Sequence, residues 1–155
     1  MEKSGGVTLL IGRYEYALDA KNRLGLPPKY RELLKTEKEK SVFIASGMEG
    51  CLYLYLPSQW RRLVENGLQA FSLEDKEKER AFKRRFFSGA AEAELDGAGR
   101  ILVPQHLKTH ASLKTAVLIQ GAGNRAEIWD VKRWQAYERS QVAPALRMAA
   151  KKIEL

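Results

Sequence analysis

The hydrophobic residues of this chain fall in short runs separated by turn residues, which is the pattern of β-strands. The first run covers residues 7–18, and a turn at residues 20–22 leads to a short run at residues 24–26. Two more runs, at residues 42–45 and 52–55, flank a glycine-containing turn. The start of the chain is therefore predicted to form two consecutive hairpins.

A proline marks the end of the second strand in each half of the chain. Pro27 and Pro104 lack the amide hydrogen that a ladder needs, but proline fits the first turn of a helix. Short helices are therefore predicted over residues 28–35 and 105–110. The later strands of the second half are predicted at residues 101–103, 116–119 and 127–129, with a turn at residues 121–124.

The motif Asp-x-x-x-Arg, followed by three residues and a proline, occurs twice. The copies begin at Asp19 and Asp96, a constant offset of 77 residues. Later landmarks such as Trp60 and Trp134 are only 74 residues apart, so the second copy has lost three residues, most easily from the charged run at residues 35–40. Two copies of one module, each too small for a good core of its own, are predicted to pack face to face.

Helices are predicted after both modules. The first carries an apolar stripe at helical spacing, formed by Trp60, Leu63, Val64, Leu68 and Phe71. A second helix is predicted from Ser72 to about Phe87, with Asp75 completing a capping-box-like pair. Asp130 is the predicted N-cap of a helix that carries Trp134. Residues 144–155 fit either an amphipathic helix or a solvated tail.

Composition adds a charge and a compartment to this picture. The 155 residues are 45% hydrophobic, enough for a real core, and carry a formal charge of +8. A basic excess favours a polyanionic partner, although a membrane surface or solubility alone would give the same number. The single Cys51 excludes an internal disulfide, and no targeting segment or membrane span is found, so a reducing cytoplasm is predicted. Residues 1–6 are predicted to be a frayed tail.

The two Asp-x-x-x-Arg turns are the candidate binding sites. A turn between strands places Lys21 and Arg23 beyond the sheet edge, where they can reach phosphates or guanine in the major groove. The alternative is that Asp19 and Arg23 only brace their turn with a salt bridge. Both interpretations stay open on the residues alone. Asp19 is predicted to be structural, since a carboxylate beside a phosphate is unfavourable.

The second turn has fewer charges than the first. It holds Gly97, Ala98 and Gly99 and no counterpart of Lys21. Arg100 is therefore either a DNA contact or a bridge to Asp96, which is predicted to be structural like its counterpart. Two other basic regions complete the candidates: Arg13 at the first strand, counted with the DNA-binding residues, and the helical cluster of Lys83, Arg84 and Arg85, which more often forms a solvated face.

Other chemistries are weaker. The segment at residues 121–126 fits a dinucleotide fingerprint, but a strand and not a helix is predicted to follow it. His106 and His110 have a spacing that can share a metal, yet no further ligands are suggested. The tryptophans are predicted to be core or subunit-interface residues, with base stacking as the alternative. No catalytic constellation is found, so the prediction is a protein that is no enzyme and has no cofactor, metal or small-molecule substrate.

Three strings closely resemble the MraZ family of bacterial transcriptional regulators: LIGRYEYALDAKNRLGLPPKYRELL, FKRRFFSGAAEAELDGAGRILVPQHL and GNRAEIWDVKRW. The resemblance implies a mainly β fold with short helices. In it, two tandem AbrB-like swapped-hairpin modules form a double-split β-barrel with helices packed around it. It further implies a homo-oligomeric ring that binds direct repeats in the promoter of the division and cell-wall gene cluster. The arginine tied to DNA binding in that group falls on Arg23.

Four segments are predicted: module 1 at residues 13–60, linking helices at 61–89, module 2 at 90–134, and a C-terminal helix or tail at 135–155. The predicted function is a nucleoid-associated, cytoplasmic regulator that binds double-stranded promoter DNA and no membrane. The alternative from another class is an antitoxin-like module that binds a protein partner, for which residues 144–155 are short.

Overall fold

The computed structural model describes residues 8–154. The predictions of a frayed tail at residues 1–6, of Val7 as the start of the first strand, and of Leu155 as the end of the last segment lie outside these residues. Within them, the order strand, turn, strand, helix, strand, turn, strand is confirmed in both halves.

Eight strands and six α-helices make up the described chain. The strands are β1 Arg13–Ala17, β2 Arg23–Gly25, β3 Ser41–Ser46, β4 Leu52–Tyr55, β5 Ala91–Glu94, β6 Arg100–Leu102, β7 Ala116–Gly121 and β8 Ala126–Asp130. The helices are α1 Pro28–Thr36, α2 Pro57–Arg62, α3 Lys76–Gly89, α4 Gln105–His110, α5 Val131–Tyr137 and α6 Ala143–Ile153. Two π-helical segments, Leu63–Leu68 and Glu138–Val142, extend α2 and join α5 to α6.

The two modules exchange strands. One antiparallel sheet has the order β1-β7-β8-β4-β3-β5, and β2 pairs with β6 in a separate two-stranded ribbon. Strand β1 of the first module therefore pairs with β7 of the second, and β5 of the second pairs with β3 of the first. Each hairpin completes the sheet of the other module, which is the swapped arrangement that the resemblance implies.

The sheet is open among the residues described. Its ladder ends at β1 and β5, and the ribbon joins the hairpins that contain these two edge strands. A mixed α+β fold with a mainly antiparallel sheet is therefore confirmed, whereas a closed double-split barrel is not shown.

The ribbon has one buried and one outward face. Leu24 and Ile101 are opposite each other at its centre and are 0% and 1% exposed. They join the main core, which includes Tyr30 of α1 and Leu107 of α4. Because successive side chains of a strand point to opposite faces, the residues on either side of Leu24 and Ile101 point away from the core.

The first strand is shorter than predicted. It begins at Arg13 and not near residue 8, because Gly12 has a φ of +96°, a left-handed backbone that interrupts an extended strand. Ahead of it, Leu10 makes an isolated bridge to Gly123 and is buried.

Two helix predictions need correction. Helix α3 begins at Lys76, because Asp75 is its N-cap and accepts hydrogen bonds from the amides of residues 77 and 78. The predicted cap Ser72 instead accepts a bond from the Lys76 ammonium at 2.7 Å. Phe71 lies beyond the helix that begins at Pro57 and packs on Phe82, with ring centroids 5.4 Å apart.

The remaining helix predictions are settled by the structure. Asp130 is confirmed as the N-cap of α5, accepting a bond from the Arg133 amide at 3.3 Å. The helical alternative applies to the C-terminal segment as far as Ile153.

Trp129 is 2% exposed in a small cluster with the partly buried Trp134, and Trp60 stacks on Phe43 at 4.9 Å.

Candidate nucleic-acid interface

The first Asp-x-x-x-Arg turn is closed by the aspartate side chain. Asp19 Oδ1 accepts bonds from the amides of Lys21 at 2.9 Å and Arg23 at 2.8 Å. Its Oδ2 accepts from Arg23 Nε at 2.7 Å. The carboxylate therefore fixes both the backbone of the turn and the direction of the arginine side chain.

The second turn repeats this geometry. Asp96 Oδ1 accepts from the amides of Ala98 and Arg100, each at 2.9 Å, and Oδ2 accepts from Arg100 Nε at 3.0 Å. The bracing contact between aspartate and arginine, one of the two alternatives for each motif, is thus present in both copies. It does not exclude DNA contact, because only the Nε of each guanidinium is used in this bond.

Both carboxylates are held in their charged form. Backbone hydrogen bonding from Arg23 is the largest cause that lowers the pKa of Asp19, and the bond from its guanidinium adds to it. The pKa of Asp96 is lowered in the same way, first by the Arg100 amide. A charge-assisted bond accepted by each aspartate therefore persists at neutral pH.

The third position of each turn has a left-handed backbone. Asn22 has a φ of 62° and Gly99 a φ of 76°, and the two residues correspond in the repeat. Asparagine and glycine are the residues that adopt this conformation at least cost. The turn chemistry predicted from sequence is therefore confirmed at both positions.

Each turn also receives a cation from the helix of the other module. Lys108 of α4 donates from Nζ to Asn22 Oδ1 at 2.9 Å. Across the second turn lies Arg31 of α1, whose Cδ and Nη1 stand 2.9 Å from where a Cβ on Gly99 would be. Arg31 and Lys108 are 77 residues apart and so occupy equivalent places in the repeat. Sequence reasoning missed both, although the constant offset was a signal that could have paired them.

The two arginines share the outward face of the ribbon. Arg23 pairs with Leu102, and Arg100 pairs with Gly25, so the arginines are diagonal neighbours. Arg100 Nη1 lies 3.9 Å from Asp19 Oδ2, which links the two turns. The side chains of Arg23 and Arg100 are 35% and 36% exposed, and Lys21 is exposed at the turn. Neither arginine is sealed from solvent.

Arg13 lies apart from this cluster. It is at the opposite end of β1, with six residues between it and Ala20, the first position of the first turn. At about 3.3 Å per strand residue, this places it more than about 13 Å from the turn. Its guanidinium lies 5.5 Å from the centre of the Trp134 ring and 3.8 Å from Glu138. The structure therefore brings together three of the four predicted cations.

The histidines and the glycine-rich segment have other partners. His106 and His110 donate from Nε2 to the carbonyl oxygens of Gly89 at 2.9 Å and Gly47 at 3.0 Å. The segment at residues 121–126 runs from the last residue of β7 to the first of β8, so a strand follows it as predicted. Within residues 8–154, no three His, Cys, Asp or Glu side chains lie together as a potential metal site.

Two other candidate features are placed by the structure. Burial raises the pKa of the Cys51 thiol to about 12, as expected for a small side chain packed in the interior. Lys83 pairs with Glu79 of the same helix at 3.5 Å. The helices of the described region include none with both the length and the apolar character to cross a membrane.

Comparison with known proteins agrees with this architecture. The family model described as "MraZ protein, putative antitoxin-like" matches twice in tandem, over residues 9–85 and 86–153. The chain belongs to the MraZ family. A MraZ match in each half corresponds to the two modules that exchange strands.

Curated relatives of the MraZ family cover most of the chain. "Transcriptional regulator MraZ" from Heliobacterium modesticaldum is 43% identical over 146 residues, which is 94% of this chain and 96% of that protein. The protein of the same name from Acetivibrio thermocellus is 39% identical and covers 92% of this chain and 96% of its own length. The one from Alkaliphilus oremlandii is 40% identical over 83% of this chain and 86% of its own.

Proposed function

We propose that this chain is a transcriptional regulator that binds double-stranded promoter DNA through the outward face of the β2–β6 ribbon. One observation carries the proposal: two aspartate-closed turns direct Arg23 and Arg100 onto one solvent-accessible face. The relatives' printed name supports a role in transcription. We further propose that the DNA sites are direct repeats before the division and cell-wall gene cluster, read in the cytoplasm at the nucleoid.

The bond to aspartate prepares each arginine for DNA. Asp19 engages Nε of Arg23, and among the described residues the two Nη groups have no hydrogen-bond partner. These two groups can donate side by side to the O6 and N7 atoms of guanine or to two phosphate oxygens. Because the side chain is already oriented, less conformational entropy is lost on binding. Asp19 and Asp96 are thus positioning residues, and Arg23 and Arg100 make the proposed contacts.

The other cations supply sequence-independent affinity. Lys21 is exposed at the tip of the first turn, and Lys108 and Arg31 flank the two turns from the helices. Lysine and arginine near phosphates release counterions, so binding is expected to weaken steeply as salt is added. The exposed Leu102 lies beside Arg23 and gives the face an apolar point that can meet a thymine methyl group.

A ring of chains is part of the proposal. One chain presents one ribbon face, whereas direct repeats present several equivalent sites, and joining the faces raises their effective concentration on DNA. Exposed apolar side chains on or near α3 support an assembly surface: Leu73, Phe82 and Phe87. The closed double-split barrel also remains a proposal, supported by the ribbon that joins the two edge hairpins.

The test is fluorescence anisotropy with a labelled duplex from the region upstream of this chain's own reading frame. Arg23→Ala is expected to lower affinity by about 5- to 150-fold, the range for losing one bidentate base contact, and Arg100→Ala by less. Arg147→Ala is the matched control, because it removes the same charge from an exposed position on α6. Equal affinities for Arg23→Ala and Arg147→Ala would refute the proposal.

An antitoxin-like interaction module is the second candidate. Helix α6 leaves Leu146, Met148 and Ile153 more than half exposed, as a helix that docks on another protein requires. This function predicts that substituting all three by serine abolishes capture of a protein partner and leaves DNA affinity unchanged. Loss of DNA affinity with no captured partner would count against it.

A further inference from the structure

A basic groove lies beside the second turn. Its volume is about 590 Å³, and four cations line it: Arg31, Lys35, Lys38 and Lys40. The residues of the second turn form part of the same lining. The groove thus borders the turn that directly precedes Arg100.

Three carboxylates close to these lysines have other partners. Glu37 accepts hydrogen bonds from the amide and hydroxyl of Ser58, the former at 2.9 Å. Glu39 lies 3.9 Å from Arg61, and Asp96 is occupied by its own turn. In the described part of the chain, Lys35, Lys38 and Lys40 are exposed and have no carboxylate partner. Four cations against the two carboxylates of the lining, Glu39 and Asp96, leave the groove with a net positive charge.

The groove coincides with the place where the internal repeat fails. Helix α1 has nine residues and its counterpart α4 has six. The lysines come from the end of α1 and the loop after it, which Lys38 turns with a φ of 58°. A bond from the Leu95 amide to the Lys40 carbonyl, at 3.0 Å, holds this loop against the second hairpin. The extra residues of the first module therefore place positive charge beside the turn of the second module.

The first turn needs no such supplement. It carries Lys21, where the second turn has Ala98. Without the groove, the second half of the ribbon face would attract DNA phosphates less strongly than the first. With it, both halves are flanked by cations, although from different parts of the sequence.

We infer that this groove binds the sugar–phosphate backbone of the DNA that the ribbon contacts, and so extends the interface along the duplex beyond the second turn. The inference rests on the proposed function. The contact is electrostatic and carries no base preference, because lysine ammonium groups here would face phosphate oxygens and not base edges.

The experiment measures the salt dependence of binding by the triple variant Lys35→Ala, Lys38→Ala, Lys40→Ala. The plot of log affinity against log salt concentration is expected to lose about 0.9 in slope for each phosphate contact removed, so up to about 2.7 per ribbon face. Affinity should fall by the same factor for the upstream duplex and for a duplex of shuffled sequence. Replacement of the three lysines by arginine should retain the slope.

The matched control is the triple variant Arg147→Ala, Lys151→Ala, Lys152→Ala, which removes three cations from α6. Light scattering and thermal unfolding serve as checks that both triple variants assemble and fold like the wild type. An unchanged slope for the groove variant, or an equal loss in the α6 variant, would overturn the inference. If Arg23→Ala still lowers affinity by about 5- to 150-fold in that case, the proposed function stands. A wild type that binds neither duplex would refute both the function and the inference.

Discussion

The two Asp-x-x-x-Arg turns have the same skeleton and different surroundings. In both, an aspartate accepts two amide bonds and one guanidinium bond, and the third position has a left-handed backbone. They differ in what surrounds this skeleton. The first turn has Lys21 at its tip and Lys108 beside it, and the second has small residues at its tip and a basic groove beside it.

This difference shows which part of a duplicated module is free to diverge. The bonds that Asp19 and Asp96 accept, here called the aspartate clamps, and the buried side of the ribbon serve both folding and the orientation of the arginines. Each copy therefore retains them. Positive charge near a polyanion acts over about 10 Å in 0.1 M salt and can be supplied from any neighbouring segment. The predictions below separate the shared skeleton from the divergent charge.

The largest effect is expected on stability, from substitutions in the buried face of the ribbon, which both copies retain. Leu24→Ala and Ile101→Ala should each lower the free energy of unfolding by about 2–5 kcal/mol, because each removes a fully buried side chain from a packed core. Urea denaturation followed by circular dichroism measures both. Similar losses would show that the two copies contribute equally to stability. A loss for only one variant would contradict the view that both copies share this structural role.

The next effect concerns the clamps. Asp19 holds Arg23 and lies 3.9 Å from Arg100, whereas Asp96 holds Arg100 alone. Freeing one arginine side chain should lower DNA affinity by about 2- to 12-fold, because its entropy is then lost on binding. Asp19→Asn should therefore lower affinity by roughly 10-fold or more, and Asp96→Asn by roughly 3-fold. Anisotropy titrations measure both values. The reverse order would show that the second turn is the principal contact.

A smaller change tests whether charge at the tip can be moved between copies. Lys21→Ala should lower the salt slope by about 0.9, and Ala98→Lys should raise it by the same amount, because each alters one phosphate contact. The double variant should restore the wild-type slope. A double variant that behaves like Lys21→Ala alone would mean that only the first tip reaches DNA.

The smallest effect is on stability in acid. Both aspartates have a pKa below the ordinary value, so each stabilises the fold at pH values above about 3.9, the unfolded pKa, and this stabilisation is lost as pH falls through the lowered folded value. The Asp19→Asn, Asp96→Asn double variant should therefore have a urea midpoint that depends less on pH in this window. A single Asp96→Asn variant should show about half of the change, since the two clamps are alike.

Much of the fold was accessible from sequence because its signals are local. Alternating apolar runs, the prolines after the second strands and the left-handed turn residues each act within a few positions, and the structure confirms them. The apolar pattern predicts a first strand that begins too early, since Gly12 breaks it with a positive φ. The predicted helix start at Ser72 is wrong, because Asp75, directly before Lys76, accepts the amide bonds of the first turn.

The candidate site was predictable only as far as each turn alone. The bond between Asp19 and Arg23 joins residues four positions apart, and the sequence suggested it. The hydrogen bond from Lys108 to Asn22 joins residues 86 positions apart. The ion pair of Arg100 with Asp19 joins residues 81 positions apart. They depend on the strand exchange, which local patterns do not specify. The contact of Arg13 with Trp134 likewise joins residues far apart in the chain.

Because β1 pairs with β7 and β5 pairs with β3, each half of the chain supplies strand partners that the other half needs. Cutting the backbone between residues 69 and 75 would therefore yield two fragments that lack the six-stranded sheet as monomers and regain it when they pair with each other. A gene encoding one half alone should give a polypeptide that pairs with a second copy of itself, which is the form from which a tandem fusion of this kind could arise.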